Sequence, residues 1–503
     1  MPKEPKVKLV EADVADVVAA SVSDSITQPL GIVSPPIVDV VPAITTAPVK
    51  SDLEEKEAVK EPPKETVTVG PTFSKKFLFV TEEALAIDLA WKLKQEGNEI
   101  KLYIGNEDDQ DIGEGFVEKC DDWRVCVDWA DVIIFDDVIS GESGFGKIAD
   151  ELRAKGKLVI GGSAYTDRLE TDREFGQQEM KNAGMLVLPH WDFDSFGDAI
   201  EFLKANPGRY IFKPSEGDLD WHVKNLLFIA QEEDGKDLLE VLEHNRKTWS
   251  RKIKRFQFQK VASGVEIAVG AFFNGNDFLT PINVNFEHKK LFPGDIGPAT
   301  PEMGTLMFWE EPNGFFHATL GKMVEKLRAS KYVGYIDINC IANARGIYPL
   351  EFTSRFGYPT ISIHMEGIQN PMGEFLYALA KGEPYNLKTQ KGFQLGVVIA
   401  TPPFPYRDEK MFQVYKDASI LFKRPNFDGI HLGDVKMVDN DWKMAGKSGY
   451  VLIVTGSGPT VETARRQAYR RIENIMLQNM FYRTDIGAKW FEESDELHTW
   501  GVL

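Results

Sequence analysis

The sequence predicts an α/β chain with a parallel-sheet N-terminal domain, α+β lobes after it, a small C-terminal domain, and a disordered tail in front. Three observations carry that expectation. Between residues 75 and 165 short apolar runs alternate with helical periodicity, the pattern of strands joined by crossover helices. Further on, runs such as RFQFQKVASGVEIAVGAFFNG read as strand, turn and strand. The first 72 residues hold almost no aromatics and are rich in Val, Ala, Pro, Ser and Thr before turning charged in SDLEEKEAVKEPPKET.

A segment of that last composition buries too little surface to offset the entropy of ordering it. Residues 1–72 are therefore expected to be a tail, available as a tether to an unknown partner. The N-terminal domain, 73–165, opens with the strand KKFLFV. The periodic stretch ALAIDLAWKLKQEG follows and stops at Gly97, a helix-ending signal. EIKLYIG and ADVIIFDD read as strands, FGKIADELRAKG as a helix, and KLVIGG as a strand. The next span, 166–390, is expected to form two lobes. In it LETDREFGQQEMKNAG reads as one helix ended by Gly184, and RYIFKPSEG sets Lys213 at the end of a strand. TPINVNFEHKK is a strand running into a Gly/Pro loop, and YVGYIDINCIANARGIYPLEFTSRFG a hairpin turning at Asn343–Gly346. The C-terminal domain, 391–503, has two strands, GFQLGVVIATP and SGYVLIVTGSG, and the helix TVETARRQAYRRIENIM.

Bulk properties exclude several function classes. With 503 residues, 43% hydrophobic and 27% charged, the chain can bury a core in more than one domain. A formal net charge of -19 argues against a nucleic-acid partner. It does not argue against ATP, because local lysines, backbone N–H groups and Mg²⁺ set the field at the phosphates. The three cysteines, Cys120, Cys126 and Cys340, fit neither a zinc site nor a disulfide framework, and read as reduced thiols of a cytoplasmic protein. No apolar run reaches the length of a membrane span, and the acidic start resembles neither a secretory nor an organellar signal. The eight histidines are scattered, without zinc-ligand spacing.

In order along the chain, KPSEG, QKVASGVE and LEFTSRFGYPT resemble the ATP-grasp ligases. Within that superfamily the sequence resembles the glycinamide ribonucleotide synthetases, or phosphoribosylamine–glycine ligases. Residues 287–305, EHKKLFPGDIGPATPEMGT, resemble the family's D-H-K-R-x(4)-D-T-G-P-N-T-G-G-M-G-A. Residues 350–360, LEFTSRFGYPT, resemble I-E-F-N-C-R-F-G-D-P-E; MFYRTDIG (480–487) and IDLAWKL (87–93) match shorter motifs. Together they span about 75–490.

The resemblance implies an ATP-grasp fold behind a pre-ATP-grasp domain. It also implies a ligase that makes glycinamide ribonucleotide from glycine, phosphoribosylamine and ATP through a glycyl phosphate. It implies ATP with Mg²⁺ (or Mn²⁺) as cofactors, no nucleic acid or membrane partner, and a monomer or weak homo-oligomer. Phosphoryl transfer is mostly positioning and charge neutralisation, so each part should appear as a cation, a metal ligand or a backbone donor. Glu351 matches the family's metal carboxylate, and Thr353, two residues on and on the same strand face, falls where the family has asparagine. Asp337 and Asn339 are the candidate second ligands from the paired strand. Lys213 and Arg173 match the two nucleotide cations, Gln259, Lys260 and Ala262 the adenine hinge, and Glu266 the ribose acid. His288, Lys289, Lys290, Asp295, Gly297, Pro298 and Thr300 resemble the substrate loop. Arg355 is the partner for the glycine carboxylate, and Arg355, Asp295 and Lys213 are the candidate catalytic groups. The bland readings are a structural Glu351–Arg355 ion pair and ordinary surface cations at Lys213, Arg173 and Lys260.

Three stretches depart from the family pattern. Its Gly-rich first loop is replaced by TEEALAID (81–88), its phosphate lid by EGDLDWHVKN (216–225) with Lys224 at shifted spacing, and R-F-G-D-P-E by RFGYPT. Two acids with no glycine oppose close approach of a phosphate. Beside the synthetase reaction stand two alternatives: an ATP-grasp ligase with another amine or carboxylate, and a nucleotide-binding protein without turnover.

Overall fold

The strand Lys76–Thr81 sets the plan of the first domain. Its side chains alternate between two cores: Phe77 and Phe79 pack into one, Leu78 and Val80 into another. A strand buried on both faces reads as a continuous apolar run, which is what a parallel sheet covered by helices requires. It sits at the centre of a five-stranded parallel sheet, with Glu99–Ile104 and then Glu118–Lys119 on one side, Val132–Phe135 and then Leu158–Ile160 on the other. The helices Ile87–Gln95 and Phe145–Ala154 follow their strands as the periodicity predicts.

This computed structural model describes residues 9–11, 73–139, 144–217, 226–406 and 408–503. The stretch Phe73–Leu503 falls within one compact unit. Most of the expected tail, together with Lys224 and the rest of 218–225, lies outside the described residues. Within residues 1–72, Leu9–Glu11 pairs antiparallel with Pro189–Phe193 as an edge strand.

LETDREFGQQEMKNAG forms two helices instead of one, Ala164–Thr171 and Arg173–Asn182. The break is Asp172, whose carboxylate accepts the Phe175 N–H at 3.0 Å and caps the second helix. Arg173 thereby becomes the first residue of that helix. A second sheet has the order Leu9–Glu11, Pro189–Phe193, Ile253–Lys260, Tyr210–Gly217, Phe228–Ile229. It carries its own aromatic core of Phe196, Phe212, Phe256 and Phe258, so this lobe folds around a centre separate from the main one.

The main sheet has eight antiparallel strands. Its order is Gly346–Thr353, Val333–Asn343, Val265–Asn274, Ile282–Glu287, Gly304–Glu310, Phe393–Ala400, Tyr450–Gly458, Ile430–Leu432. The expected hairpin is present, with Asn343 opposite Gly346. The expected boundary at 390 does not interrupt the sheet: three strands from 391–503 complete it. Alternation puts Ile267, Val269, Phe286 and Leu306 into the core, and leaves Glu266, Asn285, Glu287, Asp337, Asn339, Glu351 and Thr353 on the other face. Trp490, on the helix Lys489–Thr499, packs edge-on against Phe286, Phe308 and Phe393 on the apolar face. Among the described residues no helix is long and apolar enough to cross a membrane.

Candidate functional site

The polar face of the main sheet opens into a cavity of about 610 Å³. Its floor is the hairpin Val333–Asn343/Gly346–Thr353, whose register sets Asn339 opposite Glu351 and Asp337 opposite Thr353. All four expected metal residues therefore share one face, and all four line the cavity. Asp337 is 2% exposed, and its Oδ1 has no hydrogen-bond partner among the described residues. Burial, then the neighbouring Glu287, pushes its carboxyl well above the usual range. Among the described residues there is no group of three or more His, Cys, Asp or Glu placed to hold a metal. A Mg²⁺ site of one or two carboxylates completed by phosphate oxygens needs no such group, and an unpartnered buried carboxylate oxygen fits it.

Lys289 is the hub of this floor. Its Nζ lies 3.0 Å from Glu287, 3.8 Å from Glu351 and 3.9 Å from Glu266. Thr300 holds its backbone, donating from N at 2.7 Å and from Oγ1 at 2.9 Å to the Lys289 carbonyl. Burial would raise the Glu351 carboxyl, but Lys289, Arg173, Lys213 and Arg355 together hold it below its ordinary value. The two expected nucleotide cations thus act on the same carboxylate, although Lys213 lies on the aromatic-cored lobe and Arg173 opens a helix.

Arg355 is positioned by Glu170, a residue the sequence reading passed over. From the end of the helix Ala164–Thr171, Glu170 accepts from Arg355 Nε at 2.9 Å and from Ser354 N at 2.7 Å. Ser354 Oγ also donates to the Thr166 carbonyl at 2.9 Å. The end of the strand is thereby pinned to that helix, and the guanidinium is held at the cavity wall.

Gln259 lies on the strand Ile253–Lys260, and Glu266 on Val265–Asn274 just beyond the turn. Gln259 is fully buried, and neither atom of its amide has a partner among the described residues. Lys260 places its Nζ 4.1 Å from the Tyr210 ring centroid. Ala262 lies in the turn, half-buried.

The structure does not bring the whole 287–305 stretch to the cavity. Glu287, Lys289, Pro301 and Glu302 line it; His288, Lys290, Asp295, Gly297, Pro298 and Thr300 do not. Asp295 is a correction in particular. It has φ 55 at the tip of the hairpin Lys290–Phe292/Ile296–Ala299, and its carboxylate is taken by Arg483 at 2.8 Å and Lys489 at 3.0 Å. Arg483 also donates to the Lys290 carbonyl at 2.9 Å, and Asp485 accepts from Gly294 N at 2.9 Å. Two motifs far apart in sequence, 287–305 and 480–487, are therefore one clamp. Arg483 is 1% exposed, so the clamp is an ion-pair network built on a buried guanidinium whose acidic partners reach solvent. His288 is fully buried beside it, held down to about 3 by burial and by Lys489 and Arg483. It is a neutral core residue at physiological pH. Gly297, with φ 88, and Pro298 shape the same hairpin.

Beyond Arg355 the cavity continues toward the loop after the first sheet strand and toward the C-terminal segment. Here it is lined by Glu83, Asp108, Asp109, Asp434 and Lys447, with Phe404, Tyr406 and Phe412. Lys447 lies 2.5 Å from Asp108. Asp434 accepts from Ser448 Oγ at 2.6 Å and N at 3.1 Å; burial pushes it up to about 7.

Residues 394–489 match the family model for the phosphoribosylglycinamide synthetase C domain. The phosphoribosylamine–glycine ligase of Helicobacter pylori is 25% identical over 431 residues, covering 82% of this chain and 96% of the relative. That of Streptococcus pneumoniae is 24% identical over 351 residues, 68% of this chain and 81% of the relative. Among solved structures, the phosphoribosylamine–glycine ligase of Thermotoga maritima matches with a TM-score of 0.61 and 21% identity, over 82% of this chain and all 100% of that one. The biotin carboxylase subunit of pyruvate carboxylase matches with a TM-score of 0.53 and 13% identity, over 84% and 98%. The chain is thus similar to phosphoribosylamine–glycine ligases in sequence and shares their ATP-grasp fold.

Proposed function

We propose that this chain is an ATP-dependent carboxylate–amine ligase that joins glycine to phosphoribosylamine, giving glycinamide ribonucleotide, ADP and phosphate, a step of purine biosynthesis. The observation that carries the reading is the convergence of Glu351, Thr353, Asp337 and Asn339 with Lys289 and Arg355 in one cavity, on a fold shared with enzymes of that name. Glu351 and Asp337, with Asn339 and Thr353, would hold Mg²⁺, which when bound neutralises polyphosphate charge. Lys213 and Arg173 add positive charge beside Glu351 for the phosphates. Gln259, Lys260 and Ala262 form the adenine side, and Glu266 the ribose side. Arg355, oriented by Glu170, pairs with the glycine carboxylate through its guanidinium. The carboxylate oxygen attacks the γ-phosphate to give an acyl phosphate, and the amine then displaces phosphate to form the amide. We read the protein as cytoplasmic and as a monomer or weak homo-oligomer, with residues 1–72 available to a partner.

The test is ADP formation with Mg-ATP, glycine and freshly made phosphoribosylamine, omitting each in turn. Turnover that needs all three, with glycinamide ribonucleotide seen by mass spectrometry, supports the reading. ATP turnover indifferent to both substrates sinks it. A second reading, the same chemistry on another amine, is favoured by one observation: buried carboxylates occupy the amides of the loop after the first sheet strand.

A further inference from the structure

From the central strand Lys76–Thr81 the parallel sheet grows outward on one side through Glu99–Ile104 and Glu118–Lys119. The chain then returns to build Val132–Phe135 and Leu158–Ile160 on the other side. That reversal leaves a crevice beyond the carboxyl ends of Lys76–Thr81 and Val132–Phe135, the place where open parallel sheets take their ligands. The helix Ile87–Gln95 follows directly, and the free N–H groups at such a helix start ordinarily receive a phosphate.

Here the donors of the crevice are already used. Val80 stands opposite Phe135, so the residues that follow them, Thr81 with Glu82 and Asp136 with Asp137, emerge side by side. Asp137 Oδ2 accepts from Glu82 N at 2.6 Å, Glu83 N at 3.3 Å and Thr81 Oγ1 at 3.0 Å. Asp136 Oδ2 accepts at 2.7 Å from the N–H of Ala86, at the start of a helix without a side-chain cap of its own. Asp136 is 1% and Asp137 8% exposed. Burial raises both carboxyls; at Asp137 the loop N–H donors and Arg355 oppose it. The filled loop borders the cavity, since Glu83, Ala84 and Leu85 line it together with Arg355 and Tyr358. A phosphate arriving there would have to expel Asp137 from its donors and settle beside the Glu82 carboxylate, a like charge.

We propose that Asp137 is a specificity-determining residue: it occupies the crevice in place of a substrate phosphate, so the centre accepts a glycosylamine that carries none, ribosylamine in its simplest form. The inference rests on the ligase reading above for its co-reactant, the acyl phosphate made from glycine and ATP. The neutral amine nitrogen of ribosylamine donates its lone pair to the acyl carbon and forms the C–N bond. The C–O bond to phosphate breaks with its electrons on the departing phosphate, which takes up the amine proton. Asp137 stays on the loop amides throughout and touches no reacting atom.

The experiment compares two amines on the full chain: ribosylamine and phosphoribosylamine, each made freshly from ammonia and ribose or ribose 5-phosphate. With Mg-ATP and glycine, kcat/KM is measured for both and the glycyl amides are identified by mass spectrometry. An enzyme that uses a remote phosphate loses much of its rate when the substrate lacks it. With the crevice filled, ribosylamine should stay within about tenfold of phosphoribosylamine, and ribose 5-phosphate should inhibit no better than ribose. Asp137→Ala frees the loop donors and should shift the preference at least about tenfold toward phosphoribosylamine. Should that variant fail to fold, the parent's rate ratio and its inhibition by the two sugars decide alone. A parent that glycylates only phosphoribosylamine and is inhibited by ribose 5-phosphate but not by ribose overturns the role of Asp137 and leaves the ligase reading standing. No product from either amine overturns the ligase reading and the acyl transfer with it. In that case calorimetric binding of ribose 5-phosphate by Asp137→Ala and not by the parent upholds the filled crevice.

Discussion

Replacing His364 by phenylalanine should blunt the acid sensitivity of the protein. His364 is fully buried on the helix Thr360–Gly367. The rings of Tyr335, Trp309 and Phe272 surround it, with centroids at 4.7, 5.1 and 5.5 Å. Neither ring nitrogen has a hydrogen-bond partner among the described residues, so phenylalanine forfeits none. Burial holds its pKa down to about 3, against 6.5 for a free histidine. Between those values the unfolded chain binds a proton that the folded chain refuses. The contribution is therefore fully present above about 6.5 and is lost as pH falls toward about 3. From pH 7.5 to pH 5 that amounts to roughly 2 kcal/mol, about 1.5 pH units below the free value at about 1.36 kcal/mol each. His288, also held down to about 3, adds a similar loss that the variant keeps. The assay is denaturant or thermal melting of both proteins at pH 7.5 and pH 5. The variant should lose roughly 2 kcal/mol less than the parent on acidification. An equal loss in both proteins would refute a neutral buried His364.

Glu351→Gln should lower Mg²⁺-dependent ATP turnover by roughly 100-fold or more, the scale for removing one charge-positioning group; unchanged turnover over a Mg²⁺ titration would remove Glu351 from the metal assignment. Arg483→Met strips a buried cation from Asp295, Asp485 and the Lys290 carbonyl. It should cost roughly 3 kcal/mol and expose the hairpin tip to proteolysis, and a melting point equal to the parent's would contradict the clamp. In Gly270→Ala the new Cβ would stand 1.9 Å from Tyr335 Oη and 2.9 Å from Asn283 Oδ1. That should destabilise by roughly 1–3 kcal/mol through overpacking, read in the same melts.

Local patterns in this chain were legible because their causes are local. The run KFLFVT is a two-sided buried strand wherever it folds, and IDLAWKL carries its helical stripe in its own spacing. The hairpin Val333–Asn343/Gly346–Thr353 announces its turn, and that turn fixes the register that sets Glu351 opposite Asn339 and Asp337 opposite Thr353. The single helix expected at 169–184 failed for an equally local reason: Asp172 is a better cap than an interior helical residue. An aspartate followed by REFG was the available signal.

What needed the tertiary structure was the partner of each charge. Glu170 and Arg355 lie 185 residues apart, and Arg483 and Asp295 188 apart. Asp295 and Arg355 look like equivalent catalytic candidates along the sequence. In space one pairs with the buried Arg483, and the other lines the cavity under the hold of Glu170. Glu302 could have been found from sequence alone, as an acid at a glycine position of a motif; Asp136 and Asp137 could not, because their role depends on which amides lie within about 3 Å. Sequence by itself settled which residues alternate, cap and turn, since those follow from bonds within a few residues. The charge of the cavity's far end was decided only in three dimensions, because Coulomb and hydrogen-bond energies depend on distance and burial, and neither is carried by position along the chain.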